Sequence, residues 1–128
     1  MDSQRAFVVH YSEDGDRELN DHFDNAEITL NVALSDQHED GELVFNGLNS
    51  DPVDPSKMFG YEHVMGRGVL HRGRHVHSAL PIRSGERWNL IIWMRSSVQR
   101  NHLCPLCCKA PQLIPAPEYS YGDGFTLK

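Results

Sequence analysis

The chain predicts an all-β domain of the sandwich or barrel type, and three observations carry the prediction. No stretch sustains the apolar period of about 3.6 residues that marks an amphipathic helix. Short runs rich in Val, Ile, Phe, Trp and Thr recur instead, separated by polar turn residues. Ten glycines and seven prolines are spread along the chain, which suits many short strands joined by turns.

The first strand is expected at Ala6–Tyr11, ended by Ser12–Arg17, whose Ser-Glu-Asp-Gly-Asp-Arg composition is that of a turn. Strands are then expected at Glu18–Asp24 and Glu27–Leu34, a turn at Asp36–Gly41 and a strand at Glu42–Phe45. Asn46–Gly60 reads as a surface loop, followed by a weak strand near His63–Met65. Arg67–His71, His75–Ile82 and Arg87–Met94 complete roughly seven or eight short strands. From Val98 the pattern stops, and Pro105, Pro111, Pro115 and Pro117 break up the C-terminal stretch. Residues 1–97 are therefore expected to form the β domain and residues 98–128 an irregular tail.

At 128 residues, 39% hydrophobic and 23% charged, the chain is one domain with enough apolar material for a core, which excludes wholesale disorder. A net charge of −6 argues against a general nucleic-acid partner. The longest apolar run, Leu90–Met94, is far short of the ~20 residues that a membrane-spanning helix needs, so no membrane partner is expected. Met1-Asp2-Ser3-Gln4 does not begin a secretory signal, and an intracellular location, cytoplasmic or nuclear, is expected. The cysteines, Cys104, Cys107 and Cys108, cannot build a disulfide framework. Cys104 and Cys107 form one C-x-x-C pair, with Cys108 and His102 nearby; zinc binding and ordinary reduced thiols both remain open.

Side chains alternate across a strand. Ile28, Leu30, Val32 and Leu34 therefore share one face, with Thr29 and Asn31 on the other. Trp88, Leu90, Ile92 and Met94 likewise oppose Arg87, Asn89, Ile91, Trp93 and Arg95. Polar groups pointing into a cavity, with the apolar back turned outward, would give this pattern. No amphipathic helix is available to cover that back, so an N-terminal helical cover is missing from the pattern. Either a partner covers the back, self-association included, or the chain is part of a longer protein.

Eight histidines stand in the chain, and His22-Phe23-Asp24 places an imidazole and a carboxylate on one side of a strand end. With a third neutral ligand they would make the facial two-histidine, one-carboxylate set that leaves positions open on iron(II). His77 is followed ten residues later, across a turn, by Arg87, whose planar fork of donors suits a carboxylate. His75 and His77 point the same way, so geometry alone allows either as a ligand. His71, His63, His38 and His10 are expected to be structural or solvated. Arg67, Arg72, Arg74 and Arg83 read as a charge-balancing rim, or as a surface for an acidic substrate.

His22-x-Asp24, His77 and Arg87, in this order and at these separations, resemble the iron(II)- and 2-oxoglutarate-dependent dioxygenases. His22-Phe-Asp-Asn-Ala-Glu-Ile-Thr-Leu-Asn-Val-Ala-Leu34, Gly41-Glu-Leu-Val-Phe45 and Gly66-Arg-Gly-Val-Leu-His-Arg-Gly-Arg-His-Val-His77 are similar to the prolyl and lysyl hydroxylase branch. The resemblance implies a double-stranded β-helix, a jelly-roll or cupin-like barrel. It implies His22, Asp24 and His77 as ligands of Fe(2+), the His-Ser-Ala-Leu-Pro context favouring His77 over His75. Arg87 would hold the distal carboxylate of 2-oxoglutarate, with Tyr11 and Trp93 lining the same pocket and Thr29 and Asn31 as further pocket residues. The implied activity uses dioxygen, releases succinate and carbon dioxide, and hydroxylates a C–H bond of a protein lysyl or prolyl side chain; ascorbate is a further implied cofactor. A non-catalytic β-barrel binding module and an inactive fragment of a longer oxygenase are the competing expectations.

Overall fold

The structure, a computed structural model, describes residues 1–52 and 54–113. Among these the chain forms nine strands, one turn of 3-10 helix at Pro55–Lys57 and one short α-helix. The strands are β1 (Ser3–Ser12), β2 (Leu19–His22), β3 (Ile28–Ala33), β4 (His38–Asp40) and β5 (Leu43–Leu48), then β6 (Phe59–Tyr61), β7 (Gly68–Arg72), β8 (His75–Ala79) and β9 (Ile82–Arg95); the helix, α1, is Ser97–His102. One antiparallel sheet has the order β1-β9-β3-β7, with β4 attached to the start of β9, and the other has the order β2-β8-β5-β6. Apart from β4, the strands fall four to a sheet and the chain crosses repeatedly between the two sheets. This is the expected double-stranded β-helix.

The first sheet turns its polar side inward, as the alternation predicts. Along β3 the buried residues are Thr29, Asn31 and Ala33, whereas Ile28, Leu30 and Val32 are half-buried on the outer side. Along β9, Arg87 and Asn89 are 2% and 1% exposed, but Trp88 is 38% exposed. Register brings these inner residues side by side: Tyr11 faces Arg87, Thr29 faces Trp93, and Thr29 on its other edge faces His71. In the second sheet His22 faces His77, and His77 faces Phe45.

Several elements differ from the sequence expectation. The strand expected to run to Ile82 ends at Ala79, and Ile82 instead opens β9, which passes through Gly85 at a φ of 81°. Antiparallel to that added stretch lies β4, where a turn was expected; its His-Glu-Asp sequence has no apolar alternation to announce a strand. β5 runs on to Leu48, and β6 occupies the end of the expected loop. His63–Met65, expected as a weak strand, is irregular and leads into a turn that Gly66 closes at a φ of 80°. Within the expected tail, Ser96 caps α1 by accepting from the Gln99 amide. Pro115, Pro117 and the rest of the tail beyond residue 113 lie outside the described residues.

α1 has a mechanical part. Arg100 Nε binds the Glu27 carboxylate at 2.9 and 3.0 Å, and its Nη1 donates to Asn25 Oδ1 at 2.6 Å. Arg95 Nε donates to the Asn25 carbonyl at 2.9 Å. The link between β2 and β3 is thus held from the C-terminal side. From the other side it meets Gly73, in the β7–β8 turn: Asp24 N donates to Gly73 O at 2.8 Å, and Gly73 N donates to Glu27 O at 3.0 Å. The approach is so close that a Cβ on Gly73 would overlap the Ala26 carbonyl. Gly73→Ala is therefore expected to destabilise the fold by about 2–3 kcal/mol. Urea unfolding checks this, and an unchanged midpoint would show that the turn and the link do not pack in this way.

Candidate metal centre and its cavity

His22 stands at the end of β2 and His77 in the middle of β8, paired across the second sheet. Their Nδ1 atoms lie 2.8 Å from the carbonyls of Asn20 and His75 respectively. A carbonyl only accepts, so each Nδ1 carries the proton and each Nε2 keeps its lone pair. Both lone pairs converge on Asp24, with His22 Nε2 3.8 Å from Oδ1 and His77 Nε2 3.8 Å from Oδ2. One ligand atom from each of the three residues lies within 4.8 Å of the others. Such separations are too long for hydrogen bonds but suit donors sharing one ion at roughly 2.1 Å from each. Burial holds His77 down to about 4, although the Asp24 carboxylate pulls the other way, so its imidazole is neutral near pH 7.

Asp24 is only 4% exposed. Thr29 Oγ1 donates to its Oδ2 at 2.6 Å. A buried carboxylate is tolerated only with such donors or a cation beside it.

The centre opens on a cavity of about 260 Å³ between the two sheets. Tyr11, His22, Asp24, Thr29, Asn31, His77, Arg87 and Trp93, the eight residues singled out from the sequence, all line it, together with apolar Phe7, Val9, Leu43 and Ile91. Trp93 packs edge-on against Phe7, and its indole N–H is buried without an acceptor among the described residues.

Arg87 is the dominant charge of the wall. Its Nη1 donates to the Gly41 carbonyl, its Nε to Asn89 Oδ1 at 2.9 Å and its Nη2 to His63 Nε2 at 3.0 Å. Asn89 in turn donates to Asn31 Oδ1 at 2.8 Å, so Asn31 steadies the arginine at one remove. The guanidinium lies 5.3 Å from the centre of the Tyr11 ring. All three hydrogen-bonding partners are neutral, and no carboxylate pairs with Arg87 among the described residues. Burial lowers its pKa from the ordinary value, against the opposing pull of Tyr11. Three of the five guanidinium hydrogens are engaged, which leaves two for an anion.

Two site residues were expected to be structural or solvated. His63, from the irregular segment after β6, backs Arg87, and its pKa is pushed down to about 4 by burial and then by Arg87. His71 is buried in β7; its Nδ1 lies 2.9 Å from the Arg72 carbonyl and its Nε2 3.8 Å from Asp24 Oδ2. Neither had a spacing signal, because both reach the site through strand pairing and a long loop. His75, left open against His77, presents its carbonyl to His77 and its ring to Phe45, and stays out of the converging set.

On the rim, Arg83 pairs with Glu39 at 2.9 Å and Asp40 at 3.5 Å, while Arg74 binds Asn49 at 2.7 Å. Among the described residues the cysteines form no group of three converging ligands. Cys107 and Cys108 are exposed and Cys104 is half-buried, all three free.

Thr29→Val removes the donor to the buried carboxylate and is expected to destabilise the fold by about 1.5–3 kcal/mol. Thr29→Ser should restore most of that loss in chemical denaturation. Equal losses in both variants would assign the effect to packing instead.

No family model matches the chain. Over 126 residues it is 51% identical to human 2-oxoglutarate and iron-dependent oxygenase domain-containing protein 2, an alignment covering 98% of this chain and 35% of that protein. It is 34% identical over 87 residues to human procollagen-lysine,2-oxoglutarate 5-dioxygenase 2, covering 64% of this chain and 11% of that one. In fold it is similar to a Pseudomonas putida prolyl-4-hydroxylase, with a TM-score of 0.57 at 19% identity over 72% of this chain and 51% of that chain. Over nearly its whole length the chain is thus similar to proteins named as 2-oxoglutarate- and iron-dependent oxygenases, and it spans about a third of the length of these curated relatives.

Proposed function

We propose that this chain is the iron- and 2-oxoglutarate-binding core of an oxygenase that hydroxylates a C–H bond of a protein lysyl or prolyl side chain. Succinate and carbon dioxide are the co-products. The observation that carries the proposal is Arg87: a buried cation with only neutral partners and two unused N–H donors, in the same cavity as the His22, Asp24 and His77 set.

The residues fit the group that the family implies. Two neutral imidazoles with bare Nε2 atoms and one carboxylate make a donor set suited to iron(II). When bound, iron with 2-oxoglutarate and dioxygen supplies the oxidising power that protein side chains lack. This chain's own residues do the holding. His22, Asp24 and His77 would bind the ion, and Arg87 with Tyr11 would take the distal carboxylate. Leu43, Ile91 and Trp93 would exclude water from the cavity. The substrate class rests on the relatives' names, a procollagen-lysine dioxygenase and a prolyl-4-hydroxylase.

Conversion of 2-oxoglutarate to succinate, measured with iron(II) and ascorbate as reductant, tests the proposal. Asp24→Ala is expected to abolish turnover while the chain stays folded, because it removes the sole anionic ligand of the set. Arg87→Lys keeps the charge and loses the fork, so the KM for 2-oxoglutarate should rise by about tenfold or more while metal binding is retained. His77→Ala should be far more damaging than His75→Ala. Equal cosubstrate binding by Arg87→Ala would overturn the role of Arg87. A folded chain that binds neither iron nor 2-oxoglutarate would point to a non-catalytic module.

A further inference from the structure

The three cysteines take no part in the function proposed above, and their turn has a specific geometry. Cys104 N donates to the Lys109 carbonyl at 2.9 Å, and Cys108 N donates to the Cys104 carbonyl at 2.8 Å. The chain thus folds back on itself between Cys104 and Lys109, and Cys108 takes the left-handed conformation, at a φ of 56°. Inside the turn the backbone amides of Cys107 and Leu106 point at the Cys104 sulfur, and the Cys107 thiol hydrogen-bonds to it as well. Burial alone would push the Cys104 thiol up; these donors, with the Arg100 charge, outweigh it and hold the thiol below its ordinary value. Two sulfurs side by side, one of them cradled as a thiolate by amides, make half of the tetrahedral thiolate set that suits zinc.

The turn does not hold the other half. The Cys108 sulfur accepts from Arg74 Nη2 at 3.4 Å, and Arg74 is tied in turn to Asn49. His102, two residues before Cys104, joins no converging group of ligands among the described residues. The sequence contains no fourth cysteine. The pair is presented outward: Cys107 is exposed, and Leu103 and Leu106 beside it are 45% and 47% exposed. A two-fold axis at this point would bring two such pairs together, complete four sulfurs and cover the leucines of both copies. Four thiolates around a dication leave two negative charges, and Lys109 supplies one positive charge per copy.

We propose that Cys104 and Cys107 are a half-site for zinc, completed by the same pair from a second copy of this chain, so that one ion joins two chains. The site is separate from the centre at His22, Asp24 and His77 and stands or falls independently of it.

The test uses the chain with its thiols reduced, both the parent and Asp24→Ala, in which the other centre is disabled. Each is titrated with cobalt(II), whose thiolate complexes give a near-ultraviolet charge-transfer band that imidazole and carboxylate ligands do not. In Asp24→Ala the band is expected to saturate at one ion per two chains. In both chains zinc(II) should double the mass in sedimentation equilibrium, and a chelator should reverse it. Cys104→Ser and Cys107→Ser should each abolish the band and the doubling, whereas Cys108→Ser should keep both. Absence of a thiolate band, or saturation at one ion per chain with no change of mass, would overturn the proposal. So would a dimer that forms equally without metal, or an equal loss in Cys108→Ser.

Discussion

The structure turns on a carboxylate that the fold keeps out of water. Asp24 sits almost wholly buried between two imidazoles whose Nδ1 hydrogens are committed to backbone carbonyls, with a third imidazole held the same way behind it. A buried anion is destabilising unless donors or a cation offset it. Much of the surrounding architecture serves to hold this one group. Thr29 donates to it, Gly73 accepts from its amide, and the Glu27–Arg100 pair clamps the far end of its link. Such a site is arranged before an ion arrives, and an ion entering it would remove the residual electrostatic penalty.

The two sheets divide the work. The second supplies the imidazoles, through the His22–His77 pairing of β2 and β8. The first supplies the long wall on which Tyr11, Arg87, Asn31, Thr29 and Trp93 stand. That wall inverts the usual rule that apolar residues face in. The largest fully buried side chains include Arg87, Asn89 and Thr29, while the apolar sides of β3 and β9 look outward. Leu70 at 62% and Val8 at 50% exposure belong to the same strands' neighbourhood. The polar groups stand among apolar Phe7, Val9, Ile91 and Trp93 on the inner side, a lining that suits the two charged guests proposed for it.

Much of this was legible because it is local or periodic. Alternation alone assigned the inner and outer faces of β3 and β9, since a period of two fixes which residues travel together. The His-x-Asp tripeptide and the ten-residue step from His77 to Arg87 were visible as spacings within strands and across one turn. The features that escaped were non-local. His71 enters the site only because β7 pairs with β3 in a register that sets it beside Thr29. His63 reaches Arg87 from an irregular segment that no periodicity describes. β4 and β6 are three residues long each, too short to show a pattern, and exist because β9 and β5 offer them an edge. α1 follows a serine cap that the nearby prolines obscured.

The proposed function requires one cavity to hold a metal at Asp24 and a dicarboxylic oxo acid at Arg87 at the same time. Anaerobic visible absorption of the chain with iron(II) tests it most directly, because a 2-oxo acid chelating the metal produces a charge-transfer band. The expected result is that 2-oxoglutarate produces the band at much lower concentration than 2-oxobutyrate, which lacks the distal carboxylate for Arg87. Equal half-saturating concentrations for the two acids, or no band with either, would contradict it.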